Sequence, residues 1–232
     1  MQRLGGRRAA QVTNRSPMPY THGPQMAVSH GEFRLLETMR VDPGREIELL
    51  ERHLARLARS AAAFGFQCDV NKVRETVLTE AARQTEPIVM RLLLDRSGVA
   101  ECLYRPIPAG LHAGVRLAAA PVNSGDPFLA NKTTARQVYD QARAGLPENL
   151  DALLFNERGE VTETTIANVA VLRNGTWVTP PVSCGLLAGT LREELLENGS
   201  IVEGVVGVAE LVPGETIRCF NAVRGMYDVP LV

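Results

Sequence analysis

Three polar residues in this 232-residue sequence carry side chains that could act together in catalysis. Lys132 lies just before a predicted short helix, and a lysine that loses its proton in a crowded pocket can attack a carbonyl group. Glu163 lies among β-forming residues, where its carboxylate could point into a site. Arg56 lies at the edge of the apolar face of a predicted helix, a costly position unless its charge meets an anion. Each has an ordinary alternative: a solvated lysine, an edge-strand glutamate and an arginine whose head reaches water.

A glycine-flanked loop at residues 185–192 leads directly into a predicted helix that starts at Thr190. The first turn of a helix leaves backbone N–H groups unpaired and carries a partial positive charge, so it suits a phosphate. Thr190 could equally serve as a helix cap. Together, the lysine, the carboxylate, the arginine and the helix start supply what a pyridoxal-phosphate enzyme requires. These are an amine for the aldehyde, a carboxylate for the pyridinium nitrogen and a seat for the phosphate.

The elements that must position these residues follow from hydrophobic periodicity and turn residues. Arg56 belongs to a predicted helix over residues 47–64, and Glu163 to a strand over 161–164. Further helices are predicted at 71–83, 136–144 and 190–198. Further strands are predicted at 33–41, 88–95, 99–105, 115–122, 152–155, 167–172, 176–179 and, as the last strand, 216–221. This mixture predicts an α/β (α+β) fold in two lobes that meet near residue 110.

The chain divides into four predicted segments. Residues 1–31 contain four arginines and no acidic residue, which indicates a flexible basic tail. An organelle transit peptide, or an extension upstream of a start at Met26, is the alternative. Residues 32–106 form the predicted small N-terminal α/β domain, and proline and glycine mark an interdomain linker at 107–112. Residues 113–232 form the predicted larger, cofactor-binding C-terminal domain.

Composition argues against several classes of protein. Lys and Arg number 25 against 26 Asp and Glu, a formal net charge of −1, so a nucleic-acid-binding role is not expected. No apolar run approaches the roughly 20 residues of a membrane span. The four cysteines and four histidines are scattered without metal-site or redox spacing, so no metal is expected. We expect a soluble, cytoplasmic protein that acts on a small molecule.

From Phe33 to Val232 the sequence resembles the class IV pyridoxal-phosphate enzymes. That family contains branched-chain aminotransferases, D-amino-acid aminotransferases and 4-amino-4-deoxychorismate lyases. Within it, the sequence is most similar to the lyases, in particular to the lyase domain fused behind aminodeoxychorismate synthase. The segments that carry the resemblance are FRLLETMR (33–40), ERHLARL (51–57), KTT (132–134), GEVTETTIAN (159–168), TPP (179–181), CGLLAGTLR (184–192) and FNA (220–222).

The resemblance implies pyridoxal 5'-phosphate as the cofactor and a role for each matched residue. Lys132 would bond to the cofactor aldehyde and shuttle the proton. Glu163 would bind the pyridine nitrogen, and Arg56 would bind the phosphate. The further cofactor contacts that it implies, all at the phosphate, are Thr190, Leu191, Asn221 and Ala222.

The resemblance also implies a two-lobe fold and a reaction. The fold is the class IV one, with a small N-terminal and a larger C-terminal domain. The reaction is the conversion of 4-amino-4-deoxychorismate to 4-aminobenzoate and pyruvate, a step of folate precursor synthesis. Arg136 occupies a position where the lyases often carry an arginine, and it would face the substrate carboxylates. Family members are usually homodimers, and the likeness to a fused domain implies a functional link to aminodeoxychorismate synthase.

Two departures from the family pattern bear on the choice of reaction. The family's first strand is missing before Phe33, as it is in the fused lyases. The tyrosine that branched-chain aminotransferases place five residues after the lysine is also absent, since Gln137 stands there and Tyr139 follows two residues later. The lyase is therefore favoured over an aminotransferase for branched-chain or D-amino acids. A non-catalytic remnant of a fused synthase is the third hypothesis, and the intact set of matched residues argues against it.

Overall fold

A computed structural model describes residues 32–232, so the predicted basic tail at 1–31 lies outside the described residues. Within them the chain forms two β-sheets with helices against them, and the predicted mixture of α and β structure is confirmed. The first sheet ends at Pro106 and the second begins at Gly114, on either side of the predicted linker. No helix of residues 32–232 is long and apolar enough to cross a membrane.

The first sheet has three antiparallel strands in the order β1-β2-β3, with β1 at Leu35–Val41, β2 at Ile88–Leu94 and β3 at Ala100–Pro106. Helices α1 (Leu50–Phe64) and α2 (Val70–Ala82) pack against it. The apolar side chains of α1 recur every three or four residues, which turns one face of that helix toward the sheet. The core between sheet and helices includes Leu35, Met39, Leu54, Leu57, Val77 and Met90.

Helix α1 starts three residues later than its periodicity predicted. Ile47 is buried but lies before the helix, and Leu49 has a left-handed backbone with φ of 59°. An apolar side chain can therefore reach the core from the turn that precedes a helix, which periodicity alone does not distinguish. At the other end, Gly65 has φ of 69°, a conformation that glycine adopts without steric cost, and it ends the helix as predicted.

The second sheet has eight strands and closes like a partial barrel. Its main path is β11-β10-β7-β6-β5-β4, β8 pairs with β7 and β9, and Leu231 pairs with Val115 of β4 to join the two ends. The strands are β4 Gly114–Leu117, β5 Leu150–Phe155, β6 Val161–Thr164, β7 Asn168–Arg173, β8 Thr176–Thr179, β9 Val202–Glu203, β10 Thr216–Asn221 and β11 Gly225–Pro230. Its core consists of apolar side chains, chiefly valines, together with larger residues such as Leu153, Ile217 and Tyr227.

One strand was not predicted from the sequence, and another was predicted too long. The strand predicted last, at 216–221, is β10, and β11 follows it as an antiparallel partner. Tyr227 and Val229 of β11 are buried and alternate with exposed residues, but two inward positions before a proline give too short a pattern to predict a strand. The strand predicted at 115–122 ends at Leu117, and Val122 forms only an isolated bridge to Asn156.

Three short helices complete the fold: α3 at Pro127–Ala130, α4 at Gln137–Arg143 and α5 at Thr190–Glu197. Helix α3 was not predicted, because four residues are too few to show a helical period. Its start is nevertheless marked by Asp126, whose side chain caps the N–H of Phe128, and by a proline in the first turn. Helices α3 and α4 flank Lys132. Helix α5 begins at Thr190, as the sequence predicted.

Candidate active site

All eight residues that the sequence analysis assigned to the site line one cavity of about 440 Å³. They are Arg56, Lys132, Arg136, Glu163, Thr190, Leu191, Asn221 and Ala222. The cavity takes residues from both sheets, such as Thr38 of β1 and Glu163 of β6. Its size lies within the roughly 300–1,000 Å³ of small-molecule sites. The positions therefore converge as predicted, while the role of each residue remains a prediction.

Lys132 is held in the cavity by its own backbone. The N–H of Leu36 donates to the carbonyl of Lys132 (3.0 Å), and the N–H of Thr134 donates to the carbonyl of Arg34 (2.9 Å). Its side-chain amine makes no hydrogen bond or salt bridge with any residue that the structure describes. Burial, followed by the charge of Arg56, lowers the pKa of Lys132 to about 8. A neutral, nucleophilic amine is therefore available near neutral pH.

Glu163 is a buried carboxylate on β6 with three hydrogen-bond donors. Its Oε1 accepts the Tyr139 hydroxyl (2.8 Å) and the N–H of Leu187 (3.1 Å), and its Oε2 accepts Nδ2 of Asn168 (3.1 Å). Burial raises the pKa of Glu163 to about 7, against the opposing effect of the hydrogen bonds from Tyr139 and Leu187 and of the charge of nearby Lys132. With a pKa near neutral pH, the Glu163 carboxyl group can share a proton with a ligand group whose own pKa is also near neutral.

Arg56, on α1, is already paired within the protein. Its Nε and Nη2 donate to the two carboxylate oxygens of Glu37 (2.9 and 2.6 Å), and its Nη1 donates to the carbonyl of Ala188 (3.1 Å). A guanidinium has more N–H groups than these three contacts use, so Arg56 keeps donors for an anion. Sequence reasoning missed Glu37, although a glutamate between buried strand positions is a signal for a buried ion pair.

Glu37 and His53 connect Arg56 to the start of α5. His53 Nδ1 lies 2.7 Å from Oε2 of Glu37, and its Nε2 lies 3.4 Å from Oγ1 of Thr190. Burial opposes ionisation of Glu37, but the charge and hydrogen bonds of Arg56, with those of His53, outweigh it and lower the pKa of Glu37 to about 2. Thr190 and Leu191 begin the helix, where backbone N–H groups are unpaired by helix geometry. One end of the cavity therefore combines an arginine with a helix start.

Asn221 lies at the end of β10 and shapes the turn into β11. Its Oδ1 accepts the N–H groups of Val223 (3.0 Å) and Arg224 (2.9 Å), and its Nδ2 donates to the carbonyl of Ile166 (3.2 Å). The side chain is therefore occupied by the turn, and what it presents to the cavity is the backbone of that turn, including Ala222.

Arg136 lies at the start of α4, with its guanidinium fixed by two neighbours. Its Nη2 donates to the carbonyl of Thr165, and its guanidinium carbon lies 4.5 Å from the centre of the Tyr139 ring. Arg136 belongs to a wider group of cations that line the cavity. The members that sequence reasoning did not assign are Arg91, Arg105, Arg143 and Arg224.

Two of these cations have no acidic partner. Neither the Arg91 nor the Arg105 side chain makes a salt bridge or a hydrogen bond within residues 32–232. Burial lowers the pKa of Arg91, and the charges of Arg105 and Arg136 lower it further. Arg91 is half-buried and Arg105 is exposed, and like charges that lie close together are unfavourable unless a negative ligand joins them. One signal for this group is visible in the sequence, since Arg91 interrupts the apolar run of β2.

The donor set fits pyridoxal phosphate. Lys132 offers an unpaired amine, Glu163 offers a carboxylate with a raised pKa, and Arg56 with the start of α5 offers an anion site. Within residues 32–232 there is no group of histidine, cysteine and acidic residues that could hold a metal ion. The arrangement can bind a phosphate at one end, protonate or bind a ring nitrogen, and move a proton through an amine.

The sequence matches the amino-transferase class IV family over residues 34–232. A provisionally named aminodeoxychorismate lyase of Schizosaccharomyces pombe is 37% identical over 203 residues, which cover 83% of this chain and 87% of that protein. The crystal structure of a provisionally named amino-acid aminotransferase from Mesorhizobium loti is 36% identical, with a TM-score of 0.79 over 87% of this chain and 100% of that one. The crystal structure of 4-amino-4-deoxychorismate lyase from Pseudomonas aeruginosa is 25% identical, with a TM-score of 0.74 over 89% of this chain and 87% of that one. The chain therefore belongs to the class IV aminotransferase family of pyridoxal-phosphate-dependent enzymes, which includes the aminodeoxychorismate lyases.

Proposed function

We propose that the protein is a lyase that uses pyridoxal phosphate to convert 4-amino-4-deoxychorismate into 4-aminobenzoate and pyruvate. The observation that carries this proposal is the pair of cavity arginines without an acidic partner, Arg91 and Arg105, with Arg136 nearby. A substrate with two carboxylates complements such a cluster, whereas the apolar side chain of a branched-chain amino acid does not. The relatives that carry the name of this lyase support the same choice.

We infer that three parts of the cavity hold the cofactor. Arg56 and the N–H groups at the start of α5 hold the phosphate, and Glu163 holds the ring nitrogen. When bound, pyridoxal phosphate supplies an aldehyde that takes up the substrate amine and a ring that accepts an electron pair. The turn at Asn221 and Ala222 closes the cavity with backbone.

Lys132 performs the proton transfers. As a neutral amine it removes the proton from the substrate ring carbon that bears the amino group, and its pKa of about 8 suits this work near neutral pH. Glu163 keeps a proton at the ring nitrogen throughout. The enol ether bond of the substrate then breaks, the ring becomes aromatic, and the three-carbon group takes a proton on its methylene carbon to become pyruvate. Lys132 holds the proton that this carbon needs, so the reaction balances without water or an oxidant.

The test supplies chorismate, glutamine and an aminodeoxychorismate synthase, and measures 4-aminobenzoate and pyruvate. We expect equal amounts of both, over many turnovers, with no amino acceptor added. Lys132→Ala should abolish both products. Lys72→Ala, which changes a lysine whose side chain is 83% exposed, is the matched control and should leave the rate unchanged. Absence of 4-aminobenzoate with the wild-type protein would refute the proposal.

An aminotransferase is the second candidate, because the M. loti structure carries that name at 36% identity. An aminotransferase ends its first half-reaction with the cofactor in the amine form and waits for an oxo-acid. We expect leucine or D-alanine to convert little of the bound cofactor to that form. Rapid conversion by either amino acid, without 4-aminobenzoate from aminodeoxychorismate, would reverse the ranking.

We also propose that the protein works as a cytoplasmic homodimer supplied by aminodeoxychorismate synthase. The resemblance to the fused lyase domains supports the link to the synthase, because fusion places producer and consumer of one intermediate together. Light scattering of the purified full chain should give twice the mass of 25.2 kDa. A monomer mass at working concentration would contradict the dimer without affecting the proposed reaction.

A further inference from the structure

The two carboxylate oxygens of Glu163 differ in how fully the protein occupies them. Oε1 accepts from both Tyr139 and Leu187, whereas Oε2 accepts from Asn168 alone. An ionised carboxylate oxygen has room for about two hydrogen bonds. Oε1 is therefore saturated by protein donors, and Oε2 is the oxygen with a free lone pair.

We propose that Tyr139 is a positioning residue for Glu163, whose hydroxyl commits Oε1 to the protein so that Oε2 receives the ring nitrogen of the cofactor. This inference rests on the cofactor part of the proposed function. Tyr139 lies two residues beyond the position at which branched-chain aminotransferases carry a tyrosine, and the sequence alone assigned it no role.

The Tyr139 hydroxyl is a fixed donor. The tyrosine is buried among apolar residues, including Leu129 and Leu154, and its ring lies against the guanidinium of Arg136. Arg136 is in turn tied to the carbonyl of Thr165. Burial, with the adjacent carboxylate of Glu163, raises the pKa of Tyr139 well above its ordinary value, so the hydroxyl keeps its proton at every working pH.

The hydroxyl also affects where the shared proton lies. The charged groups that face Glu163 are Lys132, Arg136 and Arg56, and Asp126 acts on Tyr139 from α3. Burial favours the neutral carboxyl, and the Tyr139 hydrogen bond is the largest effect that favours the carboxylate. Without that hydrogen bond the carboxylate is less stable, so a proton shared with the ring nitrogen moves toward Glu163.

The experiment compares the wild-type protein with Tyr139→Phe, each loaded with pyridoxal phosphate that carries ¹⁵N at the ring nitrogen. Tyr139→Phe removes only the hydroxyl and keeps the ring against Arg136. We expect the ¹⁵N signal of the variant to shift from the protonated toward the neutral pyridine position. The control is Tyr104→Phe, which removes a tyrosine–glutamate hydrogen bond to Glu80 on the surface and should leave the signal in place.

A second series keeps the proposal testable if Tyr139→Phe does not fold. Fluorotyrosines at position 139 retain the ring and the hydroxyl but make the hydroxyl a stronger donor. At a fixed pH, the ¹⁵N signal should then move further toward the protonated position as the number of fluorine atoms rises. A purely structural role for Tyr139 would not produce that graded shift.

The outcomes separate this inference from the proposed function. If the wild-type protein does not retain pyridoxal phosphate, the proposed function fails and the inference fails with it. If the wild-type protein retains the cofactor and the ¹⁵N signal is the same in every position-139 variant, only the role of Tyr139 is overturned. If 4-aminobenzoate is not formed but the signal shifts as expected, the lyase reaction fails and the role of Tyr139 stands.

Discussion

Replacing Glu37 with glutamine removes the buried charge that neutralises Arg56 while it keeps the size of the side chain. In the folded protein the pKa of Glu37 is about 2, against an ordinary value of 4.5. That difference corresponds to roughly 3 kcal/mol of stability, since one pKa unit is about 1.4 kcal/mol. Because the pKa is lowered in the folded state, this stability is present above about pH 4.5 and is lost as the pH falls toward 2.

The substitution also leaves Arg56 buried without its counter-ion, a change that typically costs about 3–5 kcal/mol. We therefore expect Glu37→Gln to lower the free energy of unfolding of the apoprotein by about 3 kcal/mol or more at pH 7. For a chain of this size the melting temperature should fall by roughly 6–12 °C. Urea unfolding followed by circular dichroism measures the difference. Added pyridoxal phosphate should recover more stability in the variant than in the wild type, because its phosphate would neutralise Arg56.

The matched control is Glu101→Gln, which removes an exposed carboxylate paired with Arg34. Exposed ion pairs typically contribute less than about 1 kcal/mol, so this variant should resemble the wild type. The difference in free energy of unfolding between Glu37→Gln and the wild type should also become smaller as the pH falls from about 4.5 to 2, because Glu37 takes up a proton over that range. A Glu37→Gln apoprotein as stable as Glu101→Gln at pH 7 would show that the charge of Glu37 does not stabilise buried Arg56.

Three further predictions concern the cavity. The sequence contains two lysines, so borohydride reduction of the loaded protein and peptide mapping should find the cofactor on Lys132, and recovery on Lys72 would remove Lys132 from the site. The rate at which the apoprotein takes up pyridoxal phosphate should rise with pH and level off above about 8, because the neutral amine of Lys132 is the nucleophile. A rate that falls as the pH rises toward 8 would contradict this role of Lys132. Arg91→Ala should raise KM for aminodeoxychorismate roughly tenfold to a hundredfold, for a lost charge-assisted hydrogen bond of about 1.5–3 kcal/mol. Arg83→Ala changes an exposed arginine and is the control. If the KM of Arg91→Ala equals that of Arg83→Ala, Arg91 does not contact the substrate.

Local patterns were sufficient to predict much of the fold. The helix that carries Arg56 has a regular apolar period and a glycine at its end, and the hairpin of β7 and β8 has Asn174 and Gly175 at its turn, both with positive φ. Such signals lie within a few residues of one another, so they do not depend on contacts with distant parts of the chain. The misplaced strand end at Leu117 and the unpredicted β11 lack them, because their pairing partners decide where they stop.

The matched segments named Lys132, Glu163 and Arg56 as candidates for one site, and the structure brings them to one cavity, but the contacts within that cavity were not predicted. The contacts that control these residues join distant parts of the chain: Glu37 meets Arg56 from another element, and Tyr139 meets Glu163 across 24 positions. No spacing rule connects a strand to a helix at such separations, so only the folded arrangement reveals that Arg56 and Glu163 already have protein partners.

The pairing of the Lys132 segment with β1 means that the contacts of this segment do not follow the order of the chain. Lys132 follows the linker in the chain, yet its carbonyl is bonded to Leu36 of the first sheet, while Glu163 is built into the second. The helices on either side of Lys132 pack through Leu129 and Tyr139 in one cluster with Ala152 and Leu154 of β5, so the segment is tied to both sheets. A displacement of one sheet relative to the other would have to break one of these two sets of contacts, and with it the approach of the Lys132 amine to Glu163.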